Sequence, residues 1–477
     1  MQQRKGVDVE RAEKDWRIVA LLGVCTFVTA CSQSYTVAPS GDGGPGASRD
    51  AGPSVRDANA RSRDAGPARD TGPSIADGGD PLTSCGGAWS GERVVGEGSL
   101  PTVAMLPEGL AFVAYVDAMD RVMLASSVPH ESWFAPTALG QAENVLLSEP
   151  RIMVEPERAL VTWRTPDGTI GLSFVRDGMA IGPRRFPAGI MPRIASHTGG
   201  GTLVWRQAGG GEPTGVGYAD ITGGTTPPML VPGTEGRSTE SVAIASSGRR
   251  RALAWLEDRS NVRASVDLGG GWSAPVTLGE TSAGFAGRPD LAMNEAGEIL
   301  VVWADGGSVQ QARFDPVSGW SGVDPVDPGS DGFAFLPHVV LTDSGWAHVV
   351  WERFSDAGTE LRANRRNPDD LWHEPITVSA SAGDGMVDKI ALTLGRADTA
   401  HVVFLRPEGD RPGQVVASCV HPGVDWSPAV RLDSGGDLVS PRTSVGGTPF
   451  LAASESGRVV AVWPQGGEVR SNEWNAE

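Results

Sequence analysis

Lysine is nearly absent from this chain of 477 residues: Lys5 and Lys14 stand near the start, and Lys389 is the only other one. With 58 Asp and Glu against 40 Lys and Arg, the formal net charge is -18. Such a chain lacks the basic face that neutralises phosphates, which argues against a nucleic-acid partner. Histidine is also scarce, and His373-Glu374 has no second histidine at metal-ligand spacing. No Gly-x-Ser-x-Gly elbow, phosphate-binding loop or paired-cysteine motif occurs, so the sequence points to no metal, no cofactor and no recognised catalytic centre. Carboxylates brought together from distant segments are the one catalytic arrangement that a single sequence leaves open.

What the chain has in quantity is glycine (64), proline (35) and tryptophan (15), a composition of many turns and few long helices. Trp16 to Ala30 form a mostly apolar stretch behind Arg4, Lys5, Arg11, Lys14 and Arg17. It is too short to span a bilayer and ends on a small residue, as a cleaved signal peptide does. Val28-Thr29-Ala30-Cys31 resembles the lipobox of bacterial lipoproteins. The resemblance implies acylation of the Cys31 thiol, cleavage before it and attachment to a lipid bilayer; Ser32 implies sorting to the outer membrane of the cell envelope. Residues 31–83 are rich in Gly, Pro, Asp and Arg, with Arg49-Asp50-Ala51-Gly52-Pro53 recurring at Arg63 to Pro67. They carry too little apolar surface to fold, so a disordered tether with a reach of roughly 40 Å is expected. The expected division is a signal peptide over 1–30, a tether over 31–83 and a folded region over 84–477.

The folded region repeats. Pro289 to Gly297 to Trp303, Pro337 to Gly345 to Trp351 and Pro449 to Gly457 to Trp463 keep one spacing, as does Pro101 to Gly109 to Tyr115. Looser copies end on Trp163, Trp205, Trp255 and Phe404, giving aromatic anchors about 42 to 59 residues apart, the period of a four-stranded propeller blade. Two apolar runs flank each glycine turn, a third strand follows, and a fourth follows Trp133, Trp272, Trp320, Trp372 or Trp426. The start of the region, Trp89 to Val95, is a fourth-type strand with nothing before it, while the last copy lacks its fourth strand. The expected fold is therefore all-β: an eight-bladed β-propeller closed by the N-terminal outer strand, or seven-bladed if the copy at Trp205 is an insertion.

Ser265-Val266-Asp267-Leu268-Gly269-Gly270-Gly271-Trp272 resembles the aspartate box of sialidase-like propellers, with Ser265, Asp267, Gly269 and Trp272 at the family spacing and Gly271 where Thr or Ser is usual. The resemblance implies a structural turn. Sialidase chemistry, as the family is known, needs an arginine cluster, a tyrosine nucleophile and acidic partners. Here the folded region holds only Tyr115, at an anchor position, and Tyr218, in a strand, and no Phe-Arg-Ile-Pro segment opens it.

In such a fold the residues after the leading proline, or its equivalent, face the channel: Thr102, Arg151, Arg193, Ser241, Asp290, His338, Lys389 and Phe450. Arg151, Arg193 and Lys389, with His338 and Asp290, suit an anionic ligand such as an acidic glycan. The loop positions two past each anchor, among them Asp117, Thr165, Gln207 and Gln465, face the same way. Cys85 and Cys419 each precede a fourth-strand tryptophan, which places them in corresponding loops; they either pair as a disulfide or remain two buried thiols. The functional expectation is a monomeric, membrane-anchored binding module for a glycan or protein partner. A carbohydrate-active hydrolase or lyase and an envelope-assembly scaffold are the alternatives.

Overall fold

A computed structural model describes residues 85–476, apart from 144–148, 157, 177, 210–211, 223, 330–331, 357, 382–387, 409–410 and 436–449. Cys31, the signal peptide over 1–30 and the tether over 31–83 lie outside the described residues. Each sequence repeat folds into antiparallel strands. Repeat 1 holds Ser99–Met105, Ala111–Val116, Arg121–Ser127 and Thr137–Gln141, paired in chain order. Repeats 4 to 7 are likewise four-stranded, beginning with Thr239–Ser247, Asp290–Met293, Phe333–Leu341 and Asp388–Leu394.

Repeats 2 and 3 share one long strand, Met179–His197: its first half pairs with Thr169–Arg176, its second with Gly200–Gly209. The copy at Trp205 therefore builds its own hairpin, Gly200–Gly209 with Glu212–Thr222. The last repeat supplies Phe450–Ala453, Arg458–Gln465 and Glu468–Ala476, and the last of these pairs with Gly87–Trp89 and Arg93–Glu97 from the start of the region. First strands adjoin one another in chain order, and Phe450–Ala453 adjoins Ser99–Met105 again.

The second strands carry central apolar runs because both of their faces are covered there. In Ile299-Leu300-Val301-Val302-Trp303, Val301 and Trp303 pack with Ala254 and Leu256 of repeat 4, while Leu300 and Val302 pack with Val339 and Val349 of repeat 6. All eight anchors, Tyr115, Trp163, Trp205, Trp255, Trp303, Trp351, Phe404 and Trp463, are buried. Each large apolar side chain taken from water contributes about 1.5–3 kcal/mol.

Indoles of this size fit because the preceding repeat offers glycine. A Cβ on Gly140 would lie 2.6 Å from Trp163 Cζ2, and one on Gly279 would lie 2.7 Å from Trp303 Cζ2. Gly96, in the N-terminal strand, stands the same way under Tyr115 of repeat 1.

Repeats 8 and 1 are further joined by buried Arg458. Its Nη1 donates to the carbonyls of Gly109 at 2.6 Å and Ser127 at 2.9 Å, and its Nη2 pairs with Glu473 at 2.9 Å. Cys85 and Cys419 form a disulfide with their Cα atoms 6.5 Å apart, tying the start of the folded region to repeat 7.

Candidate functional site

The inner hairpins hold six of the eight candidate residues in one register. Thr102 pairs opposite Ala114, Arg151 opposite Thr162, Arg193 opposite Val204, Asp290 opposite Val302, His338 opposite Val350 and Phe450 opposite Val462. The partner is in every case the residue before the anchor, so the anchors index the ring. Two residues depart from it. Ser241 pairs opposite Leu256, past Trp255, which leaves Ala243 at the common position. Lys389, whose side chain lies outside the described residues, stands two before Ala391, the residue that pairs with Val403; an irregularity between Asp388 and Ala391 takes it out of register.

Three repeats reach the ring through a strained step. Leu100, Met191 and Leu336 each precede a proline and adopt positive φ, 54°, 54° and 46°, where the strand bulges. Side chains with a Cβ rarely adopt this conformation, and strain of this kind gathers where chains are aimed at a ligand.

Four of the repeats supply a neighbouring set of charged and polar groups, and a fifth adds an aromatic ring. Arg151 Nη2 pairs with Glu149 Oε2 at 2.5 Å, and its guanidinium carbon lies 4.9 Å from the Phe450 ring centroid. That contact spans repeat 1, which offers only small, buried Thr102. Arg151 Nη1 is buried with no hydrogen-bond partner. Arg193 feels Arg151, Glu149, Arg288 and Asp290. Its one hydrogen bond among the described residues is to the carbonyl of its neighbour Pro192, at 3.1 Å, and no described carboxylate lies within ion-pair distance of it. Loss of hydration, and next the like charge of Arg151, bring its pKa down to about 9. At the far end, Asp290 Oδ2 lies 3.4 Å from His338 Nδ1 and accepts the Val339 N–H at 3.1 Å.

Arg151, Arg193, Asp290 and His338 are thus brought together. Glu149 and Arg288 belong to the same set and were missed from sequence, although both carry a signal: each stands immediately before a leading proline, at Pro150 and Pro289.

No protein-family model matches the chain, and no curated protein sequence matches it. Among solved structures, a lectin from Burkholderia pseudomallei is similar over 71% of this chain and 99% of its own, at 14% identity and a TM-score of 0.54. This is a β-propeller fold. A prolyl endopeptidase matches at 15% identity over 78% of this chain and 55% of its own, with a TM-score of 0.47. A fucose-specific lectin from Aleuria aurantia matches at 11% over 58% and 96%, with a TM-score of 0.37.

With the sheets read as propeller blades, the aspartate-box residues lie away from the ring, between the third and fourth strands of blade 4. Asp267 Oδ1 accepts the N–H groups of Gly269 at 2.8 Å and Gly271 at 2.9 Å, and Oδ2 pairs with Arg251. Burial alone would raise this carboxyl, but Arg251 and the two N–H groups outweigh it and hold its pKa below the usual range. Ser265 Oγ donates to the Ser273 carbonyl at 2.9 Å, and Arg251 lies 4.9 Å over the Trp272 ring. Arg251 also bonds Asp220 and Thr202 of blade 3, so the box is a clasp between blades.

The loop positions past the anchors also serve the frame. Gln207 and Gln465 accept the indole N–H of Trp205 and Trp463 at 3.0 and 2.9 Å, Asp117 pairs with Arg121 at 2.6 Å, and Thr165 bonds Asp167 and Thr169.

Proposed function

We propose that this protein is a non-catalytic binding propeller whose channel mouth holds the charged group of an acidic glycan. In this reading it has eight blades closed by the N-terminal strand and is carried on the bacterial envelope by lipid on Cys31. The observation that carries the ligand assignment is Arg193, a half-buried guanidinium with no described carboxylate within ion-pair distance, beside an Arg151 that keeps one donor nitrogen unpartnered. Glu149 pairs with Arg151 alone, so an anion set between the two adjoining guanidinium groups would be stabilised by both, and the planar guanidinium fork matches a carboxylate.

The blade count is supported by the cyclic order of the first strands and by the separate hairpin at Trp205. Closure is supported by the pairing of Arg93–Glu97 with Glu468–Ala476 and by Gly96 beneath Tyr115. The lectin among the similar structures is compatible with a sugar ligand.

The test is binding of the mature chain to an array that contains uronate- and sialate-bearing glycans, followed by calorimetric titration. The Arg151→Ala/Arg193→Ala variant is expected to lose at least about 30-fold in affinity. Unchanged binding by that variant defeats the assignment.

A further inference from the structure

The inner hairpin of blade 6 carries an aromatic patch on the same end of the sheet as the ring. Its second strand runs to Ser355, four residues past anchor Trp351, whereas those of blades 4, 5 and 8 stop two past their anchors, at Glu257, Asp305 and Gln465. The extension pairs Phe333 opposite Phe354, and the Phe333 and Phe335 rings lie 6.4 Å apart. Phe333 is 59% exposed and Phe354 39% exposed. Single exposed apolar residues are ordinary, but three phenylalanines at one hairpin end form a patch that an uncomplexed protein keeps for a purpose.

Two features connect the patch to the ring. Phe333 and Phe335 share a strand with His338, separated from it by the bulge at positive-φ Leu336. His338 in turn faces Asp290, which lies in the electrostatic reach of Arg193. Asp290 Oδ1 and His338 Nε2 make no hydrogen bond among the described residues, which leaves an acceptor and an imidazole nitrogen between the cations and the aromatic patch. Apolar faces beside unused polar groups match a pyranose, which has a C–H face and an edge of hydroxyls. An apolar protein anchor would leave Asp290 and His338 without partners.

We infer that Phe333, Phe335 and Phe354 form a stacking ledge for a neutral pyranose, the sugar next to the acidic one at Arg193, with Asp290 and His338 taking its hydroxyls. This rests on the acidic-glycan reading and extends it: the ligand is an oligosaccharide that alternates or joins acidic and neutral rings, and binding spans blades 2 to 6. Stacking on one ring of this size changes affinity by roughly three- to tenfold.

The experiment uses the full mature chain, an oligosaccharide array of acidic and mixed acidic–neutral glycans, and calorimetry with the best mixed oligosaccharide and with its free acidic monosaccharide. Phe333→Ala/Phe354→Ala removes two side chains at the exposed end of a hairpin, and thermal melting would verify that the fold is retained. This variant is expected to bind the oligosaccharide at least about tenfold more weakly while binding the acidic monosaccharide as wild type does. Arg151→Ala/Arg193→Ala is expected to lose both. Wild-type affinity of the phenylalanine variant for the oligosaccharide, with the arginine variant still defective, overturns the ledge alone. A wild-type chain that binds no glycan overturns the acidic-glycan reading and the ledge with it.

Discussion

The Arg151 guanidinium lies 4.9 Å from the centroid of the Phe450 ring, joining blade 2 to blade 8 across blade 1. Between them, small, buried Thr102 leaves room for the longer side chain to lean over its neighbour. The channel mouth is consequently lopsided, with cations gathered on blades 2, 3 and 5 and the Asp290–His338 pair beyond them.

Arg193 is held at a cost to the unliganded protein, because it is half-buried beside the like charge of Arg151 with no described carboxylate within ion-pair distance. Arg193→Met is expected to raise the melting temperature, by the equivalent of about 1 kcal/mol, while weakening acidic-glycan binding. A lowered melting temperature would show that the guanidinium is satisfied in the free protein.

Glycine beneath the anchor indole is a packing requirement. Gly279→Ala places a methyl 2.7 Å from Trp303 Cζ2 and is expected to destabilise by about 1–3 kcal/mol. Gly270→Ala, with no atom near the new methyl, is the control and is expected to be close to neutral. Equal urea midpoints for the two variants would contradict the close-packed interface.

Two histidines at equivalent places in blades 6 and 7 are buried and neutral. Burial first and Arg365 second lower His348 to about 4; burial and then His421 lower His401 to about 3. Both lie below the value of 6.5 expected of an unfolded chain, so the folded state binds fewer protons. Their contribution to stability is complete above pH 6.5 and is lost as pH falls from there toward 4 and 3, at up to about 1.4 kcal/mol per pH unit for each. His348→Leu is expected to flatten the decline in urea stability between about pH 7 and about pH 5. An unchanged slope would mean that His348 is not a buried neutral group.

The Cys85–Cys419 disulfide closes a sequence separation of 334 residues and fastens the segment that leads into the strand Gly87–Trp89. Cys85→Ala/Cys419→Ala is expected to lower stability by about 3–5 kcal/mol, with the loss matched by reducing the wild-type protein. Free-thiol labelling of unreduced, unfolded protein should find neither cysteine.

Lipid on Cys31 predicts that palmitate fed to cells labels the wild-type chain and that Cys31→Ser abolishes the label and moves the protein to the soluble fraction. A Cys31→Ser chain that stays with membranes would end the lipoprotein reading.

The repeat was legible because burial on both faces demands apolar second strands and a large anchor once per unit. The spacing from Pro289 to Gly297 to Trp303 therefore survives in plain view. The glycines under the anchors were not, since Gly140 or Gly279 reads as an ordinary turn residue until the neighbouring blade's indole is placed on it.

By itself the sequence determined the strand-rich repeat and nominated Arg151, Arg193, Asp290, His338 and Lys389 from strand periodicity and the leading prolines or their equivalents. Only the tertiary structure decided which of them meet. Arg151 reaches Phe450 from 299 residues away, Arg193 has no described carboxylate within ion-pair distance, and Ser241 falls out of register. Contacts between blades depend on the lengths of side chains far apart in sequence and on single-residue bulges, and neither leaves a periodic trace.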